Sequence, residues 1–134
     1  MDLQVNLDVD DLDKAVRFYS SALGLKVGRR LGAFGVEMLG SSVPIYLLVK
    51  SPETPASETT AQTRSYVRHW TPVHLDFVVD EIESAVQRGI EAGARLEQPI
   101  TTHEWGKLAL MADPFGHGFC FVQFLGRGYG EISE

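Results

Sequence analysis

His74 and Asp76 carry the combination best able to do chemistry in this chain. An imidazole titrates near neutral pH and can move a proton, orient a ligand or bind a metal, and a nearby carboxylate raises its basicity. Both lie in Val73-His74-Leu75-Asp76-Phe77-Val78-Val79-Asp80, where Leu75, Phe77 and Val79 alternate with other residues. In a strand, residues two apart share a face, so His74 and Asp76 project together, away from the apolar series. The segment also occurs twice. Shifted by 70 residues it falls on Leu3-Gln4-Val5-Asn6-Leu7-Asp8-Val9-Asp10, with Gln4 at the position of His74 and Asn6 at that of Asp76. Gln4, Asn6, His74 and Asp76 are therefore candidate ligand-orienting groups, and His74 is the candidate catalytic residue, as general base or hydrogen-bond donor.

The elements that must hold these residues repeat as well. Strand Leu3 to Val9 runs into Asp10-Asp11, either of which can cap a helix carrying Leu12, Ala15, Val16, Tyr19, Ala22 and Leu23, with Gly24 as its end. Leu25 to Leu31, Phe34 to Leu39 and Val43 to Val49 read as three short strands. The second copy runs from strand Val73 to Val79 through a helix capped by Asp80, with Ile82, Ala85, Val86 and Ile90 inward and Gly93 at its end. Strands follow around Ala94 to Gln98, Lys107 to Ala112 and His117 to Phe124, the last two joined by a turn at Asp113-Pro114-Phe115-Gly116. The expected organisation is an α+β fold of two tandem βαβββ modules at 1–50 and 73–125. A linker or lid covers 51–72, and a mobile tail 126–134. Arg64, Arg68, His69 and Trp70 at the end of that linker are placed to close over a ligand or to tuck against the body.

Composition removes other classes. A net charge of −6 without a basic cluster excludes nucleic acid and an anionic membrane surface as partners. No apolar run reaches the ~20 residues of a membrane helix, there is no signal-peptide pattern, and the single cysteine excludes an internal disulfide, which together imply a cytoplasmic protein. No phosphate-binding loop, nucleophile elbow or Cys-x-x-Cys pair is present.

The duplicated module, with Val9-Asp10-Asp11-Leu12, Phe18-Tyr19, Leu23-Gly24-Leu25, Trp105-Gly106 and Asp113-Pro114-Phe115-Gly116-His117, resembles the vicinal oxygen chelate superfamily. That superfamily comprises glyoxalase I, the bleomycin- and fosfomycin-resistance proteins and the extradiol dioxygenases. The resemblance implies that each module curls into an open half-barrel, that the chain is a homodimer, and that metal-dependent members take two ligands from first strands and two from last strands. Carried onto this chain, those positions are Gln4, Tyr46, His74 and Cys120. The last-strand ligands of such members are usually carboxylates, and here they are a phenol and a thiol. Neither a glyoxalase-type proton abstraction, which needs a carboxylate beside a metal-bound oxygen, nor an Fe(II) site of two His and a carboxylate is satisfied. The expectation is therefore no resident cofactor, a divalent metal being the less favoured case.

Trp105, Tyr46 and Phe124, with Trp70 and Phe34, could form aromatic walls for a flat molecule, although any one of them could equally fill the core. Trp105-Gly106 resembles the groove-lining segment of bleomycin-resistance-like members. Cys120 reads as buried and inert, His103 and His117 as exposed and without ligand-spaced partners, and Glu37 and Glu104 as carboxylates that nothing in the sequence places in a site. The leading expectation is metal-independent binding of a small aromatic or amphipathic molecule by Gln4, Asn6, Tyr46, His74, Asp76, Trp105, Cys120 and Phe124. The alternatives are a metal-dependent lyase, isomerase or dioxygenase of the same fold, and an interaction module with no ligand.

Overall fold

The two halves of the chain form the same arrangement of strands and helix. A computed structural model describes all 134 residues, and they divide into two compact units, Met1–Val67 and Arg68–Glu134. The first contains β1 (Val5–Val9), α1 (Leu12–Leu23), β2 (Lys26–Leu31), β3 (Gly35–Leu39) and β4 (Ile45–Val49). The second contains β5 (Leu75–Val78), α2 (Ile82–Ala92), β6 (Arg95–Leu96), β7 (Thr101–His103), β8 (Gly106–Ala112), β9 (Gly118–Phe124) and a one-turn 3-10 helix at Gly128–Glu131. Strand order is β1-β4-β3-β2 in one sheet and β5-β9-β8-β6 in the other, with β7 paired to β8. In each unit the first strand pairs in parallel with the last and the remaining pairs are antiparallel. The expected α+β plan is observed, with β7 as an addition.

Local chemistry explains the elements. Of the two candidate caps for α1, Asp11 serves: its Oδ1 accepts the Lys14 N–H at 3.0 Å, and Gly24 ends the helix at φ 68°. At α2 the cap residue is Glu81, not Asp80, and its side chain makes no capping bond. The orphan Ile82 N–H instead donates to the Gln123 side chain on β9 at 2.9 Å, so a strand satisfies the helix end. Alternation sends Val36, Met38, Ile45 and Leu47 into the core with Ala15, Phe18, Tyr19 and Ala22. Phe119, Phe121, Ala109 and Met111 pack likewise with Ile82, Ala85 and Val86. Each large side chain fully buried this way stabilises the fold by about 1.5–3 kcal/mol. One inward assignment differs: Ile90 is 43% exposed, and the buried position beside it is Gly89. A Cβ at Gly89 would meet Met111 Cε at 3.3 Å and Phe121 Cε2 at 3.5 Å, so α2 packs close to the sheet there.

Within the 51–72 segment, residues 53–64 form a hairpin. Glu53 and Arg64 exchange backbone bonds with each other's arm (Glu53 N–H to Arg64 O, Arg64 N–H to Thr54 O, both 2.8 Å), and Pro55 bridges Thr63. Arg64 Nε donates to Asp8 Oδ2 at 2.8 Å, which fastens this hairpin to β1. The tail forms its 3-10 turn because Tyr129 packs on Phe124 (4.8 Å) and Trp105 (5.4 Å). Neither helix is long and apolar enough to cross a membrane.

Candidate functional site

In the C-terminal unit a cavity of about 250 Å³ is lined by Arg68, Trp70, Thr71, His74, Glu97, Leu110, Met111, Gly118, Phe119 and Cys120. Its polar centre follows from strand register. Asp76 on β5 faces Cys120 on β9, which faces Leu110 on β8, and His74 lies just before the first paired residue of β5. His74 Nδ1 is 2.9 Å from Asp76 Oδ1. A carboxylate acceptor there keeps the proton on Nδ1 and turns Nε2 into the acceptor. Cys120 is 4% exposed; burial, reinforced by the negative charge of Asp76 and a hydrogen bond to it, pushes its thiol up to about 12. The thiol therefore stays protonated at neutral pH and is not a nucleophile.

The N-terminal unit presents the corresponding row, Asn6 opposite Tyr46 opposite Glu37. Gln4 Nε2 lies 3.5 Å from Asn6 Oδ1. Tyr46 donates its hydroxyl to Glu37 Oε2 at 2.8 Å, and Arg29 Nη2 donates to the same oxygen at 2.8 Å and to the Tyr46 oxygen at 3.0 Å. Glu37 is therefore placed beside Tyr46, which the sequence did not reveal, because only the β3–β4 register brings them level. An irregularity in β2 between Val27 and Arg30 also lets the Arg29 N–H reach Glu37 Oε1 at 3.0 Å. These bonds, led by the Arg29 side chain, lower the Glu37 carboxyl from 4.5 to about 2.

That lowering makes a prediction. A carboxylate whose folded pKa is depressed stabilises the fold above its unfolded pKa and loses that contribution as pH falls through its folded pKa. The Glu37 contribution is thus present at neutral pH and disappears between pH 4.5 and about 2. Glu37→Gln should flatten the fall in melting temperature across that window, measured by circular dichroism; an unchanged slope would refute the assignment.

A family model described as a glyoxalase-like domain matches residues 4–122. The chain belongs to this family. With it comes membership of the vicinal oxygen chelate superfamily. Protein Rv0887c of Mycobacterium tuberculosis is 27% identical over 125 residues, which is 90% of this chain and 73% of that protein. The anthracycline biosynthesis protein DauV of a Streptomyces species is 30% identical over 125 residues, covering 89% of this chain but 40% of DauV. The crystal structure of a mutant of the fosfomycin resistance protein FosX from Listeria monocytogenes, complexed with Mn(II) and 1S,2S-dihydroxypropylphosphonic acid, superposes with a TM-score of 0.73 at 16% identity. The match covers 97% of this chain and 95% of FosX.

Against the metal chemistry of this superfamily, the inherited positions of the glyoxalase-like chain lack the carboxylates usual at the last-strand ligand positions. Gln4 offers an amide, Tyr46 is committed to Glu37 and Arg29, and Cys120 must release its proton before it can serve as a ligand. His74 is the remaining ligand-type residue, and it is paired with Asp76. Glu104, the other carboxylate considered, is exposed at the β7–β8 turn.

The aromatic candidates divide. Tyr46 belongs to the N-terminal row. Trp105 stacks on His103 (5.0 Å, 2° between planes) and meets Phe124 at 6.5 Å, in a cluster completed by Tyr129. Phe124 is four residues along β9 from Cys120, about 13 Å at strand rise, so this cluster and the His74 cavity are separate places. Of the aromatic residues proposed as walls, Trp70, 79% exposed, is the one that lines the cavity. His117, expected to be unpartnered, places Nδ1 2.8 Å from buried Asp113. Glu97 and Gly118 are cavity residues that sequence reasoning did not assign to a site, whereas Arg68 and Trp70, two of the residues able to close over a ligand, both line the cavity. The spacing of Arg68 and Glu97 along the chain gives no sign of their pairing.

Proposed function

We propose that this glyoxalase-like chain binds a small aromatic or amphipathic molecule in the cavity of its C-terminal unit without a resident metal ion. The observation carrying this reading is the lining itself: apolar surface from Trp70 and Leu110, backed by the core residues Met111 and Phe119, surrounds a few convergent polar groups, His74, Arg68 and Glu97. His74, oriented by Asp76, would accept a hydrogen bond from the ligand at Nε2. Burying one ring contributes about 1.5–3 kcal/mol and a hydrogen bond about 0.5–1.5 kcal/mol, so two rings and one hydrogen bond support a Kd between the millimolar and the upper micromolar range. DauV, a relative named for anthracycline biosynthesis, supports a small organic ligand; the fold neighbour FosX was crystallised with a small phosphonic acid together with Mn(II), so it bears on the ligand class and not on the absence of a metal.

The test is a calorimetric screen of flat, partly polar compounds against wild type and His74→Ala. The variant should lose at least about tenfold in affinity, the worth of one well-made polar contact, while its melting temperature stays within a few degrees, because the His74 side chain is 55% exposed. Loss of stability without loss of binding would place His74 in the scaffold and overturn the reading.

A metal-dependent lyase or isomerase is supported by one observation: the donor atoms of His74, Asp76 and Cys120 all lie within 4.8 Å of one another. An imidazole, a carboxylate and a thiol suit zinc once the thiol gives up its proton. Mass-spectrometric detection of about one ion per chain, with a melting temperature that falls on chelation and returns on adding zinc, would favour it over the metal-free reading.

A further inference from the structure

We infer that Arg68 is the residue that sets the size of ligand the cavity admits, and that Gly118 is the seat on which its guanidinium rests. This inference assumes the binding reading above and adds to it the determinant of selectivity.

Gly118 opens β9 and lines the cavity together with Arg68, His74 and Cys120. Its backbone is outside the left-handed region, so conformation does not call for glycine there; space does. A Cβ at Gly118 would lie 2.5 Å from Arg68 Nη2, 2.8 Å from Cζ and 3.2 Å from Nη1. The guanidinium thus occupies the volume that any side chain at this position would fill. A glycine in a strand often marks such a close approach.

The guanidinium is held by a bidentate pair with Glu97, Nε to Oε2 at 2.9 Å and Nη2 to Oε1 at 3.0 Å, while Nη1 donates to the His69 carbonyl. With Arg68 seated, the cavity measures about 250 Å³, below the roughly 300–1,000 Å³ typical of sites for drug-sized ligands. Both partners of the pair keep more than a quarter of their side-chain surface exposed, 28% and 29%. Ion pairs in such positions contribute little, so a ligand that buries apolar surface can displace the guanidinium at small cost. One wall of the cavity is therefore a long, hinged side chain clipped at its tip, in contrast to Leu110, Phe119 and Cys120, which stand on the sheet. Ligands of one or two rings fit under the seated arginine, and larger ones must unclip it.

The experiment measures binding of phenol, 2-naphthol and 2-hydroxyanthracene to wild type, Arg68→Ala, Gly118→Ala and Glu97→Gln. In parallel, NMR follows the Arg68 Nε–H, which a carboxylate acceptor protects from solvent exchange. Wild type should bind the smaller two and reject the three-ring phenol. Arg68→Ala should bind the three-ring compound at least tenfold more tightly than wild type. Gly118→Ala, by putting a methyl group in the seat, should release the Arg68 Nε–H and shift selectivity the same way. Glu97→Gln should fall between wild type and Arg68→Ala. An identical size limit in wild type and Arg68→Ala overturns the inference and leaves the binding reading standing. An Arg68 signal unmoved by Gly118→Ala overturns the seat. If no phenol binds any of the four proteins, the binding reading fails and the inference falls with it.

Discussion

Asp113→Ala lowers the unfolding free energy by about 3–5 kcal/mol. The Asp113 side chain is fully buried in the turn that delivers β8 into β9. Its Oδ1 accepts the N–H groups of Phe115 (2.8 Å) and His117 (2.9 Å), and Oδ2 lies 2.8 Å from His117 Nδ1. Alanine leaves both backbone donors without that acceptor, and each buried unmade bond costs roughly 1–3 kcal/mol. Asp113→Asn keeps an oxygen for the two backbone N–H groups and should recover more than half of the loss. Urea unfolding of the pair measures this; a loss below about 1 kcal/mol for alanine would show that the turn is held by other contacts. The functional consequence is immediate, because this turn sets where Gly118 and Cys120 enter the cavity floor.

The second large effect separates the two faces of β9. Phe121→Ala should cost about 3–5 kcal/mol, since the ring is 1% exposed and packs edge-on against Phe119 at 5.4 Å and tilted against Phe77 at 6.5 Å. The cavity it leaves lies beneath Gly89 of α2, which has no side chain of its own to fill it. Cys120→Ala, one residue away on the opposite face, removes only a small side chain and its hydrogen bond to Asp76, and should cost about 1 kcal/mol. Chemical denaturation of both variants, with ligand affinity measured beside it, gives the comparison. Phe121→Ala should lose stability first, and Cys120→Ala should alter affinity at near-native stability. Equal losses of stability would mean that Cys120 belongs to the packed core and not to the cavity wall.

Much of the fold was legible because it is written locally. Alternation around Leu75 and Phe77, helical spacing around Ala15 and Ala85, and the 70-residue repeat each depend on near neighbours, and they located both modules within a few residues. His74 and Asp76 were legible as a pair for the same reason, since residues two apart on a strand share a face. What the sequence did not disclose depends on pairing at a distance. Glu37 meets Tyr46 only through the β3–β4 register, and Arg68 meets Glu97 across 29 positions. Trp105 and Phe124 were grouped with His74 by residue type, whereas their strand positions gather them with Tyr129. The segment 51–72 read as a linker because its polar composition conceals backbone bonds between its two arms and the anchoring of Arg64 to Asp8.

The parallel pairing of first and last strands carries a consequence for how the protein is made. β5 gives His74 and Asp76 their places, but its partner is β9, and Leu75 must wait for Phe119 before any bond between the two strands can form. As the chain leaves the ribosome, α2, β6, β7 and β8 are all synthesised before β9, and the loop entropy of bringing such distant segments together is met in a late step. The cavity floor is therefore the last thing to exist. Occupancy of the pocket by any ligand reports a docked β9, and a ligand present during synthesis would capture that strand as it docks, acting on yield as well as on stability.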